Sequence, residues 1–233
     1  MVNQIDTVVF DLDGTLIDSQ RAALRGAIEA LARFGIHVTE DELREQFGGG
    51  SRKIMQYFLE RDLSSGEASA ALVEATDLKI SLQASFTDKV VLLPNVMQLL
   101  QRLKDNQFRL ALATMAARDV VDEVLSYHGI EEYFEYTVTG DDVTNPKPDP
   151  EILTKTIGLL GVSVDCTLYV GDSTHDLEAA VSLAMPFSLA DTGIFVRGET
   201  RKNLRTSAED NGSPIVGIDE LLDICEIAKM HQF

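Results

Sequence analysis

A chain of 233 residues with 45% hydrophobic content can bury one sizeable core, with room for a smaller inserted unit. Its 38 Asp and Glu against 20 Lys and Arg leave a net charge of −18, a field that disfavours nucleic acid and anionic membrane surfaces. An anionic small molecule is admitted only where a metal or a few placed cations reverse that sign locally. Cys166 and Cys225 lack metal-ligand spacing and lie in apolar stretches, so they read as inert core residues. No apolar run approaches membrane-spanning length and no secretory pattern opens the chain, so the expected location is cytoplasmic.

The first predicted element is an apolar strand over 7–10, ending in Asp11 and Asp13. Gly14 turns the chain, and helical spacing begins after Asp18 and Ser19, with Leu24, Ala27, Ile28 and Leu31 on one face and Gly35 as its stop. Thr39 to Glu42 is a capping-box pattern for a second short helix. Gly48, Gly49 and Gly50 break that helix, and Ser51 is the expected cap of a third, which carries Ile54, Met55, Phe58 and Leu59. A fourth helical run covers about 66–86. The block 17–87 thus reads as an all-helical insertion.

From Leu93 onward, strands and helices alternate. A helix from Pro94 precedes a strand over 108–113 that ends at Thr114; a helix over 119–127 and a strand over 136–139 follow. Asp149-Pro150-Glu151 opens another helix, with Asp149 as its cap. A strand over 167–170 runs into Gly171-Asp172, then come a helix over 176–183, a strand over 187–189 and a closing helix over 219–228. Residues 197–213 take no assignment. Alternating elements with apolar strands predict an α/β fold, a doubly wound and mostly parallel Rossmann-like sheet.

The chemistry-bearing residues recur at predicted strand ends, where open α/β sheets bind ligands. Asp11 and Asp13, bent round Gly14, can converge on a volume where their repulsion needs a cation or a proton to offset it. Asp172 and Asp176, four apart at a strand-to-helix turn, add two more hard oxygen donors, which suits a cation such as Mg²⁺. Thr114 can offer a hydroxyl to a phosphoryl oxygen. Lys147 lies between Pro146 and Pro148, which present its side chain with little loss of entropy. Arg52 and Lys53 follow the three glycines, and the planar fork of Arg52 is the better match to a carboxylate or phosphate.

Asp11-Leu12-Asp13-Gly14-Thr15, Thr114, the Lys147-Pro148-Asp149-Pro150 segment and Gly171-Asp172 through Asp176 resemble, in order, the four motifs of the haloacid dehalogenase-like hydrolases. The resemblance covers residues 7 to about 193. It implies that Asp11 is a nucleophile that becomes phosphorylated, Asp13 a general acid and base, and Thr114 and Lys147 ligands of the transferring phosphoryl group. Met115 stands where the family commonly has Asn. Asp11, Asp13 (through its main-chain carbonyl), Asp172 and Asp176 are the implied Mg²⁺ ligands. The helical block falls where the phosphoglycolate phosphatase and β-phosphoglucomutase branch carries a cap, which implies a core over 1–16 and 88–233 and a cap over 17–87. Thr15, Thr114, Lys147 and Arg52 are then the expected substrate contacts. The expectation is a Mg²⁺-dependent phosphatase acting on a small phosphorylated metabolite, as a monomer or weak homodimer. A phosphomutase, a pyrophosphatase and a non-enzymatic ligand-binding or scaffold protein are the alternatives.

Overall fold

In the computed structural model, the described residues are 5–44, 46 and 50–230. The chain opens with β1 (Thr7–Phe10) and β2 (Ile17–Asp18), then α1 (Gln20–Arg33), α2 (Glu40–Arg44), α3 (Gly50–Asp62) and α4 (Ser65–Ser85). Next come β3 (Val91–Leu92), α5 (Val96–Asp105), β4 (Arg109–Ala113), α6 (Arg118–His128), β5 (Tyr136–Val138) and α7 (Glu151–Leu160). The last elements are β6 (Thr167–Gly171), α8 (Thr174–Ser182), β7 (Phe187–Asp191), α9 (Gly198–Asp210), β8 (Ile215–Gly217) and α10 (Asp223–Met230).

Two compact units result: Met1–Asp18 with Leu92–Ala116 and His128–Phe233, and Ser19–Val91 with Ala117–Tyr127. The first is an α/β unit around a six-stranded sheet of order β5-β4-β1-β6-β7-β8. Every pairing described in that sheet is parallel. Strand β1 lies in the middle and is buried along its whole length, which is why its sequence is a continuous apolar run without alternation. Val9 aligns with Ala111 of β4 on one side and Tyr169 of β6 on the other. This register brings the carboxyl ends of β1, β4 and β6 side by side.

The second unit is helical, and its core gathers Leu24, Leu31, Leu43, Met55, Phe58 and Leu59. The capping box before α2 forms as its sequence requires: Thr39 N and Oγ1 both donate to Glu42 Oε2 at 2.8 Å, and Glu42 N donates to Thr39 Oγ1 at 3.3 Å.

Several local expectations shift. Helix α3 already includes Gly50, so Ser51 lies in its first turn and is not its cap; Gly48 and Gly49 fall outside the described residues. Pro150, not Asp149, occupies the cap position of α7, yet Asp149 Oδ1 still accepts the Glu151 N–H at 2.9 Å. Helix α8 begins earlier, capped by Ser173, and the closing helix begins later, at Asp223. The unassigned stretch is α9, followed by β8. Cys225 is buried, but Cys166 is only half-buried.

Candidate active site

The Asp11 backbone N–H continues the β1–β6 ladder by donating to Val170 O at 2.8 Å, which fixes where the carboxylate leaves the sheet. The chain then reverses tightly: Leu16 N donates to Leu12 O at 2.9 Å and Gly14 N to Ile17 O at 2.8 Å. Gly14 has φ +81°, and a Cβ there would run into the carboxyl group of Asp172 and the Phe195 ring. Both the dihedral and the close approach therefore demand glycine. The turn is braced from β7 as well, since Thr192 Oγ1 donates to Gly14 O at 2.6 Å.

Lys147 is buried and crosses to the end of β1. Its loop is fastened by Glu151, which accepts the backbone N–H groups of Thr144 at 2.9 Å and Asn145 at 2.8 Å. The ammonium faces four oxygens: Asp11 Oδ1 at 2.8 Å, Ala113 O at 2.7 Å, Tyr169 Oη at 2.6 Å and Asp176 Oδ1 at 2.9 Å. Thr114, also buried, follows β4 and accepts the Ala116 N–H on Oγ1 at 3.2 Å.

Asp176 reaches the same place through the start of α8. Its Oδ2 accepts Ser173 N at 3.1 Å and Ser173 Oγ at 2.5 Å, completing a capping box. Gly171 makes room for it, because a Cβ at that position would lie 2.5 Å from Asp176 Cβ. A helix-capping role and a place among the site acids are thus combined in one carboxylate.

Oxygens of Asp11, Asp172 and Asp176 lie within 4.8 Å of one another, and all three residues are buried. Asp13 is half-buried beside them and contributes to the repulsion felt by Asp11 and Asp172, but its carboxylate is not part of that triad. Burial pushes the Asp11 carboxyl up to about 7, opposed by the Lys147 ammonium and reinforced by Asp176. Asp172 is driven well above the usual carboxylate range by burial and by Asp176, Asp11 and Asp13. For Asp176 the burial penalty is outweighed by Lys147 and by the Lys147, Ser173 and Tyr169 hydrogen bonds, so it stays below that range. Burial also disfavours the Lys147 ammonium, but Asp11 and Asp176 more than compensate and raise its pKa.

Lysine alone therefore does not neutralise the cluster. Among the described residues, Asp11 and Asp176 are met by donors and Asp172 is not. A compact, all-oxygen set with one unmatched buried acid fits a hard divalent cation.

The structure thus brings Asp11, Lys147, Asp172 and Asp176 into one cluster at the carboxyl end of the sheet. Thr15 is fully buried, and its Oγ1 has no hydrogen-bond partner among the described residues. Met115 packs against the apolar core of the α/β unit, its backbone carbonyl pressed close to Gly140. Arg52 belongs to the helical unit, exposed on α3, next to Ser51, whose Oγ accepts the buried Lys79 ammonium at 2.8 Å.

Two site residues escaped the sequence reading. Tyr169 sits in what reads as a plain apolar strand, although a fully buried tyrosine needs a partner for its hydroxyl. Thr192 lies just past β7, with no local pattern that announces its bond to Gly14.

The family model for haloacid dehalogenase-like hydrolases matches residues 8–190. The chain is 33% identical over 183 residues to a phosphoglycolate phosphatase of Vibrio cholerae, covering 77% of this chain and 81% of that one. It is 28% identical over 198 residues to the pyrophosphatase PpaX of Halalkalibacterium halodurans, covering 84% and 87%. A crystal structure of β-phosphoglucomutase from Clostridium difficile shares the fold, with a TM-score of 0.75 at 20% identity over 98% of this chain and 97% of that one. With the acids and lysine of the sheet's carboxyl edge in place and the family match spanning most of the sequence, the chain belongs to the haloacid dehalogenase-like hydrolases.

Proposed function

We propose that the enzyme is a Mg²⁺-dependent phosphatase that hydrolyses a small phosphomonoester through an aspartyl phosphate. The observation that carries this reading is the Lys147 ammonium held against Asp11 in a buried cluster of three carboxyl groups. A phosphate dianion has no approach to such a cluster in a protein of net charge −18 unless cations screen it.

An oxygen of Asp11 attacks phosphorus in line and the bond to the leaving oxygen breaks. Asp13 gives its proton to that oxygen, then takes one from water as the water attacks phosphorus and the Asp11–phosphorus bond breaks. Lys147 fixes Asp11 Oδ1 and, with the Thr114 hydroxyl and the backbone N–H groups after Asp11, meets the phosphoryl oxygens. Asp11, Asp172 and Asp176, with the main-chain carbonyl of Asp13, would hold Mg²⁺, which when bound offsets charge on the phosphoryl group. Thr15, buried in the turn after Asp11 with its hydroxyl unpartnered among the described residues, is assigned to the phosphoryl end of the substrate in this reading. Arg52 is assigned to the non-reacting end of the substrate.

The test is a panel of phosphorylated metabolites, with phosphoglycolate, hexose phosphates and pyrophosphate included, assayed for phosphate release and for isomerised product with and without Mg²⁺. Release from one ester class, absent in Asp11→Asn, supports the phosphatase. Isomerisation without release makes it a mutase, preference for pyrophosphate makes it a pyrophosphatase, and no turnover of any member favours a binding protein.

A further inference from the structure

Tyr169 is fully buried on β6, its ring tilted against Phe187 with centroids 5.8 Å apart. Only its hydroxyl emerges from that apolar setting, and it lies 2.6 Å from Lys147 Nζ and 2.5 Å from Asp176 Oδ1. An ammonium has protons and no lone pair, so the direction is fixed: Lys147 donates to Tyr169 Oη, and Oη donates to Asp176.

Counting protons gives this hydroxyl a task. Lys147 has three N–H groups and faces four oxygens. The longest of those contacts, 2.9 Å, is to Asp176 Oδ1, the same oxygen that Tyr169 supplies with a proton. Tyr169 and Lys147 thus share the supply of protons to Asp176 Oδ1, and the three ammonium protons are spread over four oxygens.

We propose that Tyr169 is a positioning residue that keeps the Lys147 ammonium on Asp11 by supplying Asp176 with a proton of its own, so that the lysine is not drawn wholly to Asp176. The inference rests on the phosphoryl-transfer reading above. Without the phenol, Asp176 Oδ1 loses a donor and Nζ loses one of the four oxygens that hold it, so the attraction of the more poorly supplied Asp176 draws Nζ away from Asp11. The loss falls on the reacting geometry, not on the affinity of the substrate.

Tyr169→Phe removes one oxygen and keeps the ring. With saturating Mg²⁺ and p-nitrophenyl phosphate, kcat should fall about tenfold while KM stays within about twofold. Phe187→Leu disturbs the same ring packing and leaves the hydroxyl in place; it should cost less than about threefold in kcat. Crystal structures of the wild type and Tyr169→Phe supply a readout free of turnover, with Nζ displaced toward Asp176 and its distance to Asp11 Oδ1 lengthened in the variant. An unchanged kcat overturns the proposal, as does a lysine that keeps its place, or an equal kcat loss in Phe187→Leu. If the wild type hydrolyses no phosphoester at all, the functional reading fails, while the displacement of Nζ in the crystal still decides the positioning role.

Discussion

Lys147 Nζ and Asp11 Oδ1 meet at 2.8 Å across 136 positions of sequence, and neither side chain is exposed by more than a tenth. Removing one member of such a pair changes chemistry and electrostatics together. Asp11→Asn should lower phosphate release by on the order of a thousandfold or more, since the amide is no comparable nucleophile. Circular dichroism should remain that of the wild type. Near-normal turnover in this variant would end the covalent mechanism.

The acids also set a pH dependence for the metal-free protein. Asp11 is raised from 3.8 to about 7 by burial, against the pull of Lys147. Its folded form therefore holds a proton that the unfolded chain has already released between those two values. Stability from this group is present below about 4 and is lost as pH rises toward 7, by up to about 1.4 kcal/mol per pH unit. Asp172 acts in the same direction, whereas the depressed Asp176 contributes stability that is lost only in acid. Thermal melts in EDTA should show Tm falling between pH 5 and 7, with a shallower slope in Asp11→Asn. A Tm that rises over that interval contradicts the assignment.

Cation binding should reverse that loss. At pH 7.5, Mg²⁺ should raise Tm without any substrate present, and Asp172→Asn should abolish the shift. Chelation should remove activity, Mg²⁺ should restore it, and Ca²⁺, which tolerates looser geometry, should restore it poorly. Full turnover after exhaustive chelation would exclude the metal.

Gly171 offers a test of packing at the site. A methyl group there must displace Asp176, whose Cβ would be 2.5 Å away, so Gly171→Ala should cost about 1–3 kcal/mol in stability. Turnover should fall further than that cost alone explains, because Asp176 moves with its contacts to Lys147 and Tyr169. A variant with wild-type Tm and kcat would mean that the helix start yields without disturbing the cluster.

In the helical unit, Arg52→Ala should lower kcat/KM for the preferred substrate roughly ten- to hundredfold, the loss of one charge-assisted contact. Hydrolysis of p-nitrophenyl phosphate should change much less, and Lys53→Ala should be nearly silent. Equal losses on both substrates would place Arg52 at the phosphoryl group or in the stability of its own unit.

Legibility in the sequence followed how local each signal was. The strand over 7–10 and the acids at its end could be read directly, because a central parallel strand must be apolar throughout and its polar terminus stands out. Helix α9 could not: it buries little beyond Leu204 and Ala208, so its periodicity is drowned by charge. Its anchoring is electrostatic, with Arg201 Nε 2.5 Å from Asp191 Oδ1 and Arg205 paired to the other oxygen. Tyr169 was hidden for the opposite reason. An aromatic residue in a buried strand satisfies every local rule, and only the arrival of Lys147 and Asp176 from elsewhere in the chain gives its hydroxyl a purpose.

Leu93 N donates to Leu16 O at 2.9 Å, so the chain returns to the α/β unit beside the point where it left. In the language of polymer loops, everything between those two residues is one closed ring, tied by this bond and by the pairing of β2 with β3. Folding of the sheet must bear the entropy of closing that ring, which grows only with the logarithm of its length. Trimming the ring to about ten residues would relieve roughly 2 kcal/mol of that cost. The helical insert is therefore a cheap passenger for the sheet in thermodynamic terms, and its size and composition can vary widely while the ladder that presents Asp11 stays the same.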